Sequence, residues 1–232
     1  MLPLRKIGLV AERPDTEAEQ DQILTREEQE DGHDSTPAID PELLARRDEA
    51  LAKLVKIGDP VLNSEASPVS EFDAELGREV ERMVALMHDA MGIGLAATQL
   101  GILRRLLVFQ SGAEGEPTAL VNPQVEWVSE EVVVAEEGCL SIPKVTVDVE
   151  RPLHARVSGH DHSGRPLLIE ASGLEARVLQ HEIDHLDGIL MLDRTTTEQR
   201  KGALRALRAG EEYSPPTTEA DEALQGEAAT AA

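Results

Sequence analysis

A chain of 232 residues, 41% of them apolar, holds enough material for one globular domain with tails, and its 2% aromatic content leaves the core to aliphatic side chains. A formal charge of -23 excludes a broad basic footprint on DNA, because phosphate binding needs clustered Lys and Arg. The single cysteine excludes an internal disulfide and fits a reducing compartment, and the short apolar stretch at the start is neither a secretory signal nor a membrane span, so the cytoplasm is the expected location.

In chain order, residues 1–48 are rich in Glu, Asp, Gln and Thr and read as an acidic, disordered extension. The folded domain is expected over 49–209. Its first long element is DAELGREVERMVALMHDAMG, where Leu76, Val80, Met83, Val84, Met87 and Met91 form one apolar helical stripe. Six β-rich runs follow: RRLLVFQ, TALVNPQVEWV, EVVVAEE, KVTVDVE, HARVSGHD and PLLIEA. They are punctuated by Gly, Pro, Asn and Asp and predict antiparallel strands and hairpins. A helix comes next in SGLEARVLQHEIDHLDG, with Ser172 and Glu175 in capping-box spacing and Gly188 at its stop. TTEQRKGALRALRAG predicts a basic amphipathic C-terminal helix, and residues 210–232 read as a second acidic tail. The fold class is α+β: antiparallel sheets around the central His-bearing helix, with one helix on its N-terminal side and one at the C-terminus.

The central helix carries His181-Glu182-Ile183-Asp184-His185. A four-residue step on a helix puts both imidazoles on one face, where they can reach one metal, and leaves Glu182 beside them as a general base. The competing reading is a pair of surface histidines balanced by Asp184 and Asp187. Two histidines do not complete a catalytic site, and Cys139, in Glu-Glu-Gly-Cys-Leu-Ser, offers a third ligand. Taken alone, a single cysteine is more often a small buried hydrophobe. A Cys-His-His set suits Fe(II), Zn(II), Ni(II) or Co(II). Gly92 and Gly94 flank Ile93 and would let a substrate backbone approach closely, although two glycines alone signal only a turn.

Three strings, GIGLAATQ at 92–99, EGCLS at 137–141 and QHEIDHLDG at 180–188, resemble the signature motifs of peptide deformylases in order and spacing. KIGDPVL at 56–62 and GILMLDR at 188–194 resemble the family as well. The resemblance implies removal of the formyl group from N-formylmethionyl nascent peptides. It implies one divalent metal, Fe(II) first among the expected ions, on Cys139, His181 and His185, with Glu182 as the catalytic glutamate. It further implies that Gln99 and the Leu140 N–H bind the formyl oxygen, and that Ile93, Gly94, Leu140 and Val178 or His181 border the pocket for the methionine side chain.

Two positions depart from many relatives, which carry arginine where this chain has Asn63 and, after Ile-Pro, Thr146; the next arginine is Arg151. Both departures bear on peptide contacts rather than on the reaction. The basic stretch 198–208 reads as a solvated face, with transient ribosome contact as the other reading. The rival functions are a peptidase with the same HExxH logic and a non-catalytic protein whose three ligands merely hold structure.

Overall fold

The computed structural model describes residues 40–112 and 115–216, all within the unit Ile39–Ala232. The expectations for 1–39 and 217–232 lie outside the described residues. Helix α1 (Pro41–Ala52) opens at Asp40, whose side chain accepts the Glu42 N–H, with Pro41 preset for a first helical turn. The boundary drawn at residue 48 therefore cuts through a helix. What α1 lacks in hydrophobic periodicity it makes up in anchoring, since Ala50 and the following Leu54 are buried.

Helix α2 (Ala74–Asp89) is capped by the Asp73 carboxylate, which accepts from Glu75 and Leu76. Leu76, Val80, Met83 and Met87 are buried as the stripe predicts, and Val84 is partly buried against them. Met91 is not part of that stripe. The helix has already ended, and Met91 takes a left-handed φ of 57° and is 49% exposed.

Five antiparallel strands form the larger sheet in the order β1-β2-β3-β6-β7: β1 (Gly94–Ala96), β2 (Leu106–Gln110), β3 (Pro117–Val128), β6 (His154–His160) and β7 (Pro166–Ser172). The remaining two, β4 (Val132–Cys139) and β5 (Ile142–Pro152), make a separate hairpin sheet. Strand β2 is apolar and buried from Leu106 to Phe109 because both its faces are covered. Leu106 and Val108 pack with α2, whereas Leu107 and Phe109 pack with helix α3 (Gly173–Leu186). On β5 the alternation is plain: Val145, Val147 and Val149 turn inward onto Met191, Leu192 and Ala203 of the short α4 (Met191–Arg194) and the terminal α5 (Thr197–Ala209).

Helix α3 contacts β1, β2, β5, β6 and β7, which makes it the central helix of the α+β fold. Its capping box does not form, because Ser172 is consumed as the last residue of β7, opposite His154, and its side chain makes no cap bond. The helix instead starts from Gly173 at φ 58°, whose N–H donates to Leu153. Gly188, at φ 72°, ends the helix as expected, pressed against the Asn63 backbone, where a Cβ would collide. Asn63 thus serves a turn packed under the central helix.

The acidic tail does not begin at 210. Tyr213 donates its N–H to Lys144 and accepts from the Thr146 N–H, so 211–216 runs alongside β5, and the Tyr213 ring packs on Gly202 of α5.

Candidate metal centre and its cavity

The β4–β5 hairpin turns at Leu140–Ser141, and its register shifts between Gly138 and Cys139, so that Cys139 stands at the end of the ladder facing α3. There, one ligand atom each from Cys139, His181 and His185 lies within 4.8 Å of the others. Cys139 Sγ is 3.2 Å from His185 Nε2, and the two imidazoles meet edge to face with centroids 5.0 Å apart. The three residues come from two elements, and Cys139 stands more than forty positions before either histidine in the chain.

Of the two imidazoles, His181 is held from behind, whereas His185 Nδ1 is buried with no hydrogen-bond partner among the described residues. His181 Nδ1 lies 3.0 Å from Glu137 Oε2, which leaves Nε2 for the thiol side. Glu137 is in turn gripped by Arg151 at 2.6 and 3.0 Å and by Arg177 at 2.8 Å. Arg151 also bonds Asp184 at 2.8 Å, and Arg194 closes on the same carboxylate at 2.6 Å. This buried network of Glu137, Arg151 and Asp184 is absent from the sequence-based site. Glu137 directly precedes Gly138-Cys139, and Asp184 sits one residue before His185, but neither position announces a buried partner fourteen or thirty-three residues away.

Gln99 is oriented by its own backbone neighbour. The Ala96 N–H donates to Oε1 at 2.9 Å, which turns the Nε2 amide toward Cys139 Sγ at 3.7 Å and Ser141 Oγ at 3.3 Å. Glu182 is 4% exposed and its Oε2 has no hydrogen-bond partner among the described residues. Gly94 makes room for that carboxylate, since an added Cβ would overlap it; at Gly92 a Cβ would come within 2.9 Å of Leu140 Cδ1. The glycines therefore serve first to let Glu182 and Leu140 stand where they do.

Burial by itself would raise the Cys139 thiol, but the charge of His185 and hydrogen bonds from both histidines hold it well below its ordinary value. His181 is lowered by burial, yet its bonds to Cys139 and Glu137 lift it well above 6.5. Glu137 is opposed by burial and pulled by His181 and Arg151 down to about 2. Glu182 goes the other way, raised chiefly by burial. A thiolate beside a proton-bearing imidazole is the charge pattern that a divalent ion takes over by displacing protons, and the donor set fits such an ion with room for a fourth ligand.

A cavity of about 590 Å³ opens beside these residues. Its lining includes Gly92, Ile93, Gly94, Gln99, Cys139, Leu140, Val178, His181 and Glu182, so the structure brings all the expected site residues but His185 to one surface; His185 lies just behind, 1% exposed. Thr146 lines it too, bonded through Oγ1 to Ser214 at 3.1 Å.

An α+β scaffold that gathers a cysteine, two histidines one helical turn apart and a buried glutamate into one cavity has the makings of a hydrolase site able to take a single metal ion. The chain belongs to the polypeptide deformylase family, whose model matches residues 51–201. It is similar to the peptide deformylase of Parafrankia sp. (strain EAN1pec), 43% identical over 160 residues, covering 69% of this chain and 87% of that one. The peptide deformylase of Rhizobium meliloti is 45% identical over 155 residues, with 66% and 89% covered. Among solved structures, the peptide deformylase from Synechococcus elongatus in complex with actinonin superposes with a TM-score of 0.64 at 40% identity, covering 71% of this chain and 91% of that chain.

Proposed function

We propose that this chain hydrolyses the N-terminal formyl group of newly made polypeptides, releasing formate, with one divalent metal on Cys139, His181 and His185 and with Glu182 as the proton carrier. The reading rests on one observation: the three donors converge within 4.8 Å beside the buried Glu182 carboxylate, whose Oε2 has no hydrogen-bond partner among the described residues. Fe(II) is the ion we expect, with Zn(II), Ni(II) and Co(II) suited to the same donors. When bound, the ion supplies Lewis acidity, making a water acidic near neutral pH and polarising the formyl oxygen.

The protein's own residues do the rest. Glu182, its proton affinity raised by burial, accepts the proton of the attacking water and later delivers it to the departing amine. The Gln99 amide, aimed past Cys139 because Ala96 holds its oxygen, donates to the formyl oxygen as charge develops there, and the Leu140 N–H is the second donor. Gly92 and Ile93 lead into β1, whose Gly94 begins the edge strand of the larger sheet, where a substrate backbone would add as a strand, and Ile93, Leu140 and Val178 border its first side chain.

No helix among the described residues is long and apolar enough to cross a membrane, which fits the cytoplasmic location we infer. The basic face of α5 is read as solvated, Arg200 being paired with Asp193 at 2.8 Å; ribosome pelleting at rising salt would expose a transient contact there. The reaction is tested with Glu182→Ala. We expect equal metal content in variant and wild type, formate release from a formyl-methionyl peptide by the wild type, and a loss of about 10²-fold or more in the variant. Undiminished turnover in the variant would remove Glu182 from the mechanism, and a metallated wild type that releases no formate would overturn the function.

A further inference from the structure

The cavity extends past the residues of the three motifs. Helix α1 contributes Arg47 and Leu51, which at a four-residue step share one helix face, and the segment after α5 contributes Glu212, Tyr213 and Ser214. Apart from Leu51, these residues lie outside the stretch 51–201 that matches the family. Helix α1 is fixed rather than loosely laid on: Ala50 is 1% and Leu54 5% exposed, and Arg46 pairs with Asp89 at the end of α2. That pair brings α1 beside the segment 89–92, so Arg47 stands next to the approach to the β1 edge.

The lining charges are unequal in their engagements. Lys144 pairs with Glu212 at 3.5 Å, and Arg177 is committed to Glu137 and to the Val149 and Val133 carbonyls. His181 belongs to the metal centre. Among the described residues, half-buried Arg47 is the one lining cation with no ion pair or hydrogen bond. The lining it shares includes apolar side chains, with Leu51 partly buried and Met91 and Ile93 49% and 47% exposed. A guanidinium left unpaired on an anchored helix is suited to a carboxylate, which it can grip with two parallel bonds.

We propose that Arg47 is a specificity-determining residue that selects an acidic side chain in the second or third residue of the substrate. The inference rests on the deformylation reading, which places the formyl carbon beside Cys139 and Glu182 and the first side chain near Ile93 and Val178. A cavity of about 590 Å³ is sized for more than that one residue, and the peptide that continues along the edge meets α1. Glu136, a lining carboxylate on β4 without an ion pair among the described residues, would favour bases, so the effect must be read as a change caused at position 47.

The test uses metal-loaded full-length protein and two series of formylated tripeptide amides, formyl-Met-X-Ala and formyl-Met-Ala-X, with Glu, Ala or Lys as X. KM and kcat are measured for the wild type, Arg47→Ala and Arg47→Glu. Calorimetric affinities for the same peptides on proteins that also carry Glu182→Gln read the charge preference without requiring turnover, separately from the deformylation reading. In at least one series the wild type should prefer Glu over Lys about two- to fivefold, the gain from one partly screened charge pair. Arg47→Ala should abolish the preference and Arg47→Glu should invert it. The Glu-to-Lys differences should lie in KM rather than in kcat. A Glu-to-Lys ratio that is the same in the wild type and Arg47→Glu in both series would overturn the proposal.

Discussion

Arg151 joins the two halves of the candidate centre, taking both oxygens of Glu137 on β4 and one oxygen of Asp184 on α3 while only 4% exposed. Its removal would leave two buried carboxylates short of charge, a change that costs about 3–5 kcal/mol when nothing compensates. Arg177 and Arg194 remain on those carboxylates, so Arg151→Met should lose about 3 kcal/mol in urea unfolding. It should also weaken metal binding about 10- to 100-fold, because Glu137 would no longer hold His181 firmly. Unchanged stability and metal affinity would show that the neighbouring arginines carry the network alone. At this scale the sequence was legible where spacing is local: His181, Glu182 and His185 lie on one helix turn. Cys139 joined them as the third ligand that two histidines lack, and Gln99 and Leu140 through the resemblance of whole motifs. Arg151 and Arg47 were not legible as site residues, since what places them is burial and packing between distant elements.

Among the elements, α2 rests most directly on one side chain. The Leu76 and then the Glu75 N–H groups hold the Asp73 carboxylate below its ordinary 3.8. A carboxylate whose folded value is depressed contributes stability that is present above its ordinary value and is lost as pH falls through the folded one. Asp73→Ala should therefore have a lower urea midpoint than the wild type at pH 7, and the gap should close as pH is taken progressively below 3.8. A gap constant with pH would mean the cap acts only through its shape. The strands from β2 to β7 were readable because β-branched runs alternate between Gly and Pro breaks. By contrast, β1 is a three-residue Gly-Leu-Ala edge with no pattern of its own, and it exists because β2 supplies the ladder. The capping box at Ser172 and the helical place of Met91 failed for a common reason. Local spacing cannot show that a strand already owns Ser172 or that the helix stops at Asp89.

For the whole molecule, composition marked acidic ends but put their inner limits in the wrong places. Helix α1 is polar on most sides and is held by Ala50, Leu54 and the Arg46–Asp89 pair, while 211–216 is held by two backbone bonds to β5 and by Tyr213 on Gly202. Few apolar residues suffice where neighbours provide the surface. A chain ending at Gly210 should be about 1–3 kcal/mol less stable than one ending at Pro216, from the two bonds lost. Equal urea midpoints for the two chains would detach 211–216 from the fold.

The central claim is that Cys139, His181 and His185 hold the metal on which deformylation depends. The measurement that tests it most directly is anaerobic formate release from a short formyl-methionyl peptide, by protein as purified, stripped of metal, and restored with Fe(II) or Ni(II). The account predicts that release vanishes on stripping and returns with the ion in wild type but not in Cys139→Ser. Release that survives complete stripping, or a folded and fully metallated wild type that releases none, would contradict it.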